Sequence, residues 1–242
     1  MKRIEFLKNA GLSLLTTSAL IACKKDSEVS PTSTNSTTTG STNGSSSSDC
    51  TVTPSETEGP FPTKTPSSLV AADIRSDRQG LLMTAKITIK NKNTSCAALQ
   101  GALVDIWHCD ADGNYSEYGG TGMQSTNYTS VHFLRGRQTT DANGLVTFTS
   151  IFPGWYGGRA PHIHVHIYDS SGKSLLVTQI AFPKTVCDNV YTNATTYYKK
   201  GLQDTTNEKD NIFGDGFATE LATLSGSVSD GYTLTHTIVV SA

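Results

Sequence analysis

The 242-residue chain has no excess of charge of either sign: 19 Lys and Arg against 21 Asp and Glu leave a formal net charge of -2. That excludes both the basic footprint of a nucleic-acid binder and a strongly acidic face for a cationic partner. Nor is there an apolar run long enough to cross a bilayer as a permanent helix. The nearest, AGLSLLTTSALIA close to the N-terminus, is too short. Internal repeats are absent, and from Cys50 onward helical periodicity is scarce. Histidine is sparse as well, at six residues, yet three of the six stand at alternate positions in one stretch, GRAPHIHVHIY.

What the N-terminus does contain is an address. Lys2, Arg3 and Lys8 precede the apolar stretch, and LIAC closes it at Cys23 behind the small Ala22. Residues 1–22 read as a lipoprotein-type signal peptide, so the protein is expected to be exported and lipid-anchored through acylated Cys23 to a bacterial membrane, on the periplasmic or cell-surface side. Residues 23–49 are almost wholly Ser, Thr, Asn and Gly, with little to bury, and read as a flexible tether. Residues 50–242 then form one domain. Its Cys50, Cys96, Cys109 and Cys187 are an even count in an export context, which predicts two disulfides in one of three connectivities.

Six alternating or β-branched runs follow: LMTAKITIKN, ALVDIWHC, LVTFTSIF, HIHVHIY, LLVTQIAF and YTLTHTIVVS. Asn143-Gly144 and DSSGKS supply hairpin turns between them. The pattern predicts an all-β domain, a β-sandwich core with long functional loops and little helix. The loops are 110–131 and 184–216, both too long for hairpin connections. TELATLSG reads as a short helix or a further strand.

Because side chains alternate along a strand, His162, His164 and His166 share one face, neighbours standing roughly 6 to 7 Å apart. Two such imidazoles can converge on one ion of zinc, copper, iron or nickel; the third, His166, is less able to reach it and reads as a hydrogen-bonded or surface histidine. Tyr115 in DADGNYSEYGG and Tyr156 in FPGWYGGRAPHIH are candidate partners from glycine-flanked loops. A free phenol has a pKa of about 10, but a trivalent cation would deprotonate it, so two His with two Tyr favour ferric iron. Tyr118 is the rival to Tyr115 and reads as a loop aromatic. Trp107 and Trp155 read as core or pocket wall. DADGN begins like a calcium loop, but its glycine comes too early and the distal acidic ligand is missing, so it reads as a turn.

VDIWHCDADGNYS, LRGRQTTDANGLVTFTSIFPGWY, RAPHIHV and LLVTQI, in that order, resemble the intradiol ring-cleaving catechol dioxygenases. The resemblance spans about residues 53–183 and opens with TPSETEGPF, similar to the lead-in of the protocatechuate-type members. It implies a non-haem Fe(III) held by Tyr115, Tyr156, His162 and His164, with Arg159 beside the substrate and Gln179 behind the ligands. It further implies an exported oxidoreductase whose partners are a catechol-type aromatic and O2. Such an enzyme opens the ring between the two hydroxyl-bearing carbons to a muconate-type diacid, and Tyr156 serves as ligand and then as base. The chain departs from the family pattern in two places. GGRAP alone separates Tyr156 from His162 where familiar members carry a longer insertion, and Phe61 and Pro62 stand where hydroxyl-bearing aromatics are common. The alternative is a non-catalytic surface module that captures a metal, a catechol or a siderophore, which a lipoprotein address would also suit.

Overall fold

The computed structural model describes residues 50–242; the signal peptide and tether expected over residues 1–49 lie outside them. Among the described residues, nine strands and one α-helix build two sheets. The strands are β1 (Leu82–Asn91), β2 (Ala97–Ala98), β3 (Leu103–Trp107), β4 (Arg135–Thr139), β5 (Leu145–Ile151), β6 (His162–Tyr168), β7 (Ser174–Ala181), β8 (Thr223–Ser227) and β9 (Gly231–Val240). The first sheet has the order β2-β1-β9-β8, with β5 also paired to β1; the second has the order β4-β3-β6-β7. Every pairing is antiparallel except β1 with β9.

Alternation builds the core. In β1, Met83, Ala85, Ile87 and Ile89 are buried, and they share one cluster with Val104 and Ile106 of β3 and Ile163, Val165 and Ile167 of β6. Each Met, Val or Ile among them contributes about 1.5–3 kcal/mol by leaving water. The same alternation turns His162, His164, His166 and Tyr168 to the opposite face of β6, away from the first sheet. Strand register then aligns Arg135 of β4, Trp107 of β3, His164 of β6 and Gln179 of β7 in one row across that face. Loops and the segment before β1 cover this row.

Three sequence expectations need correction or completion. The stretch 184–216 is not wholly irregular, because it begins with α1 (Lys184–Asn193). Its buried residues Cys187, Val190 and Tyr191 have helical spacing, but Thr, Val, Cys and Asn are poor helix formers and hide the signal. The second half of TELATLSG enters β8. Of the two expected disulfides one exists, Cys50–Cys96, while Cys109 and Cys187 are free and buried. They pack in different apolar clusters, Cys109 with Phe61, Trp107 and Tyr115, and Cys187 in the main core. Burial pushes both thiols above their ordinary range.

Candidate metal centre

Strand β6 carries two of the four candidate donors. The Nε2 atoms of His162 and His164 stand 3.1 Å apart. Tyr115 and Tyr156 arrive from loops, each with its phenol oxygen 3.4 Å from His162 Nε2. Tyr115, His162 and His164 are 1%, 3% and 1% exposed; Tyr156 alone of the four is partly open to solvent.

Each donor is held by identifiable neighbours. His162 Nδ1 donates to the Ala160 carbonyl at 2.6 Å, which leaves the Nε2 lone pair facing the cluster. The His164 ring stacks on Trp107, with centroids 4.9 Å apart and planes within 2°. Tyr115 stacks on Phe61, and its backbone is gripped by Gln124, which accepts from the Tyr115 N–H at 2.7 Å and donates to its carbonyl at 2.8 Å. Gly154 lets the Tyr156 loop press against its neighbour, since a Cβ there would meet the Asp110 carbonyl oxygen at 2.4 Å.

The segment before β1 forms a roof. Arg135 donates to the Phe61 carbonyl and to Ser116, Tyr118 donates to the Pro62 carbonyl at 2.7 Å, and Gln179 Nε2 donates to the Thr57 carbonyl at 2.9 Å. Gly59 in this roof has φ +67° and lies so close to the candidate donors that a Cβ would stand 3.0 Å from His164 Cε1. Tyr118 is therefore spent on the roof and does not join the donors. His166 is also elsewhere, bonded to Ser174, Tyr168 and Glu58. Sequence reasoning missed Gln124 and Arg135. The signal for Arg135 was its place in LRGRQ, one strand away from Trp107.

Burial dominates the electrostatics. It pulls His162 down to about 3, with Arg159 adding to the effect, and takes His164 well below the ordinary imidazole value. Both rings are neutral, with lone pairs to give. Burial raises Tyr115 well above the usual phenol and raises Tyr156 too, with Arg159 opposing the rise at both. The two phenols thus keep their protons unless a strong positive charge displaces them.

The donor set fits one small ion. First-row metals take N and O ligands at about 2.0–2.1 Å, and two such ligands at right to tetrahedral angles stand about 2.9–3.4 Å apart. The observed separations are 3.1 and 3.4 Å. Among the described residues no group of three or more His, Cys, Asp or Glu is placed to hold a metal, so the histidines' nearest partners are phenols. Phenolates suit a hard trivalent cation such as Fe(III).

Arg159 and Gln179 sit directly beside the cluster. Arg159 Nη2 donates to Gln179 Oε1 at 2.6 Å, its Nη1 is 3.5 Å from the Tyr156 oxygen, and its Nε is taken by the Asp210 carboxylate.

The chain matches a dioxygenase family model over residues 65–210, a span that holds all four donors with Arg159 and Gln179. A chlorocatechol 1,2-dioxygenase of Rhodococcus opacus is 30% identical over 128 residues, which is 45% of this chain and 46% of that protein. The chain thus spans about half the length of the curated relative it matches. Among solved structures, an intradiol ring-cleavage dioxygenase from Tetranychus urticae superposes with a TM-score of 0.70 at 28% identity, covering 79% of this chain and 95% of that one. The dioxygenase domain of a carbohydrate-binding fusion from Streptomyces sp. SirexAA-E shares the fold, with a TM-score of 0.59 at 24% identity over 79% of this chain and 99% of that one.

Proposed function

This chain belongs to the intradiol ring-cleavage dioxygenase family, and from that premise we propose that it binds a catechol-type aromatic at a ferric ion and cleaves the ring between the two hydroxyl-bearing carbons, giving a muconate-type diacid. The observation that carries the reading is the convergence of Tyr115, Tyr156, His162 and His164 at separations of 3.1 and 3.4 Å. Ferric iron bound there would supply a Lewis acid that activates the catecholate toward O2 and a template that holds it.

The chain's own residues divide the remaining work. Tyr156 is the more exposed phenol and lacks the Gln124 grip that holds Tyr115, so it is the donor that gives way to the substrate and takes a catechol proton on its oxygen. Tyr115 stays. Arg159 presents Nη1 toward the same place and donates to the substrate oxygen as negative charge gathers there. Phe61 and the rest of the roof shield this chemistry from bulk water, which strengthens the arginine's effect.

The reaction site is proposed to lie outside the cytoplasm, on a protein anchored through Cys23. Support comes from the sequence around Cys23 and from the Cys50–Cys96 disulfide, which suits an oxidising compartment.

A visible spectrum of the iron-loaded protein tests the reading. Tyrosinate-to-iron charge transfer makes it reddish, and anaerobic catechol shifts the band as Tyr156 leaves. A colourless iron-bound protein overturns the ligand set, and a catechol recovered intact after aerobic incubation overturns the reaction.

A further inference from the structure

We propose that Asp210 is a positioning residue for this chemistry, clamping the Arg159 guanidinium so that Nη1 alone faces the Tyr156 oxygen. The proposal rests on the functional reading above and adds a residue to it.

An arginine side chain is long, and its rotamer entropy opposes holding it in one place. Here both Asp210 oxygens accept from Arg159 Nε, each at 2.9 Å. The carboxylate is itself fixed from two directions. Ala160 N–H, in the turn between Tyr156 and His162, donates to Oδ2 at 2.7 Å, and Ile212 N–H donates to Oδ1 at 2.9 Å. The Asp210 side chain is 0% exposed, so its charge has no water to balance it and depends on these donors.

Gln179 completes the clamp. It accepts from Nη2 at 2.6 Å and is held in turn by its own bond to the Thr57 carbonyl at 2.9 Å. With Nε and Nη2 engaged, Nη1 remains, 3.5 Å from the Tyr156 oxygen. An aspartate that merely tied its own loop to the Ala160 turn would need only the two backbone bonds. The bifurcated bond to Nε is what aims the fork.

Asp210→Asn tests this, since it keeps the shape and places an NH2 where a donor is now accepted. In the iron-loaded protein it lowers kcat for catechol about 10- to 100-fold, while anaerobic catechol affinity stays within about threefold. Adding it to Arg159→Met, which keeps the apolar stem, lowers kcat by less than about twofold more, because the two residues act as one unit. An equal loss in both backgrounds, or none in either, overturns the proposal. A readout on the metal-free protein separates it from the fate of the functional reading. Exchange of the Arg159 Nε–H with solvent, followed by NMR, is slow in the wild type and fast in Asp210→Asn. Equal rates overturn the clamp whether or not any catechol is cleaved.

Discussion

Gly59 shows how much of the site depends on what a residue lacks. Its φ of +67° and the 3.0 Å approach of a notional Cβ to His164 Cε1 leave room for hydrogen alone. Gly59→Ala is expected to lose about 1–2 kcal/mol of stability from the left-handed backbone, measured by denaturant unfolding, and to displace the visible band by pressing on His164. Arg159→Ala acts differently, because under the proposed function it removes a donor to the substrate and none of the four candidate metal ligands. The protein keeps its colour while kcat falls about 100- to 1,000-fold; bleaching would mean that Arg159 holds the ligands together. At this scale the sequence was highly legible. Alternation put His162, His164 and His166 on one face, glycine-flanked loops offered Tyr115 and Tyr156 as candidates, and the family resemblance implied which of them form one donor set. Arg135 was not legible, because it works on the Phe61 carbonyl 74 residues away; Gln124 works on nearby Tyr115 and Tyr118, but from an irregular loop whose sequence has no periodicity to mark the contact.

Among the elements, β6 shows why the pattern could be read. One alternation serves both purposes, sending Ile163, Val165 and Ile167 into the core and His162 and His164 to the face where the candidate donors gather. β4 was missed because RGRQT is polar: its residues serve the outer row and an ion pair between Arg137 and Asp105 rather than an apolar face. α1 was missed for its weak helix formers. The outer edge of β7 carries a pH-dependent feature. The wholly buried Glu220 accepts from Thr178 Oγ1 at 3.1 Å, and burial, with Glu56 and Asp215 adding to it, raises its carboxyl from 4.5 to about 8. A carboxyl raised on folding favours the folded state most below its unfolded value and loses that contribution as pH climbs through the folded value. Unfolding free energy is therefore expected to fall between pH 4.5 and about 8 in the wild type relative to Glu220→Gln. Parallel pH curves for the two proteins would contradict this.

For the molecule as a whole, the sandwich is a rigid floor and the segment before β1 a roof tied down at two ends. One tie is the Cys50–Cys96 disulfide across 46 residues. The other is the set of bonds from Arg135, Tyr118 and Gln179 to the Phe61, Pro62 and Thr57 carbonyls. Reducing the disulfide releases a loop worth about 4 kcal/mol of chain entropy, so the melting temperature drops. The second tie stays, so the colour and catechol turnover of the iron-loaded protein persist at low temperature; bleaching on reduction would show that the roof depends on the bridge. The two-sheet fold could be foreseen from six of the nine strands, but the roof could not, since its hold on the site runs through single hydrogen bonds between residues far apart in the chain.

The central claim is that Tyr115, Tyr156, His162 and His164 hold an iron at which a catechol ring is opened between its hydroxyl-bearing carbons. Incubating the iron-loaded protein with catechol under 18O2 and weighing the product by mass spectrometry tests it most directly. The expected product is an acyclic muconate-type diacid carrying both labelled oxygen atoms. Unlabelled catechol recovered intact, or a semialdehyde opened beside the hydroxyl pair, would contradict it.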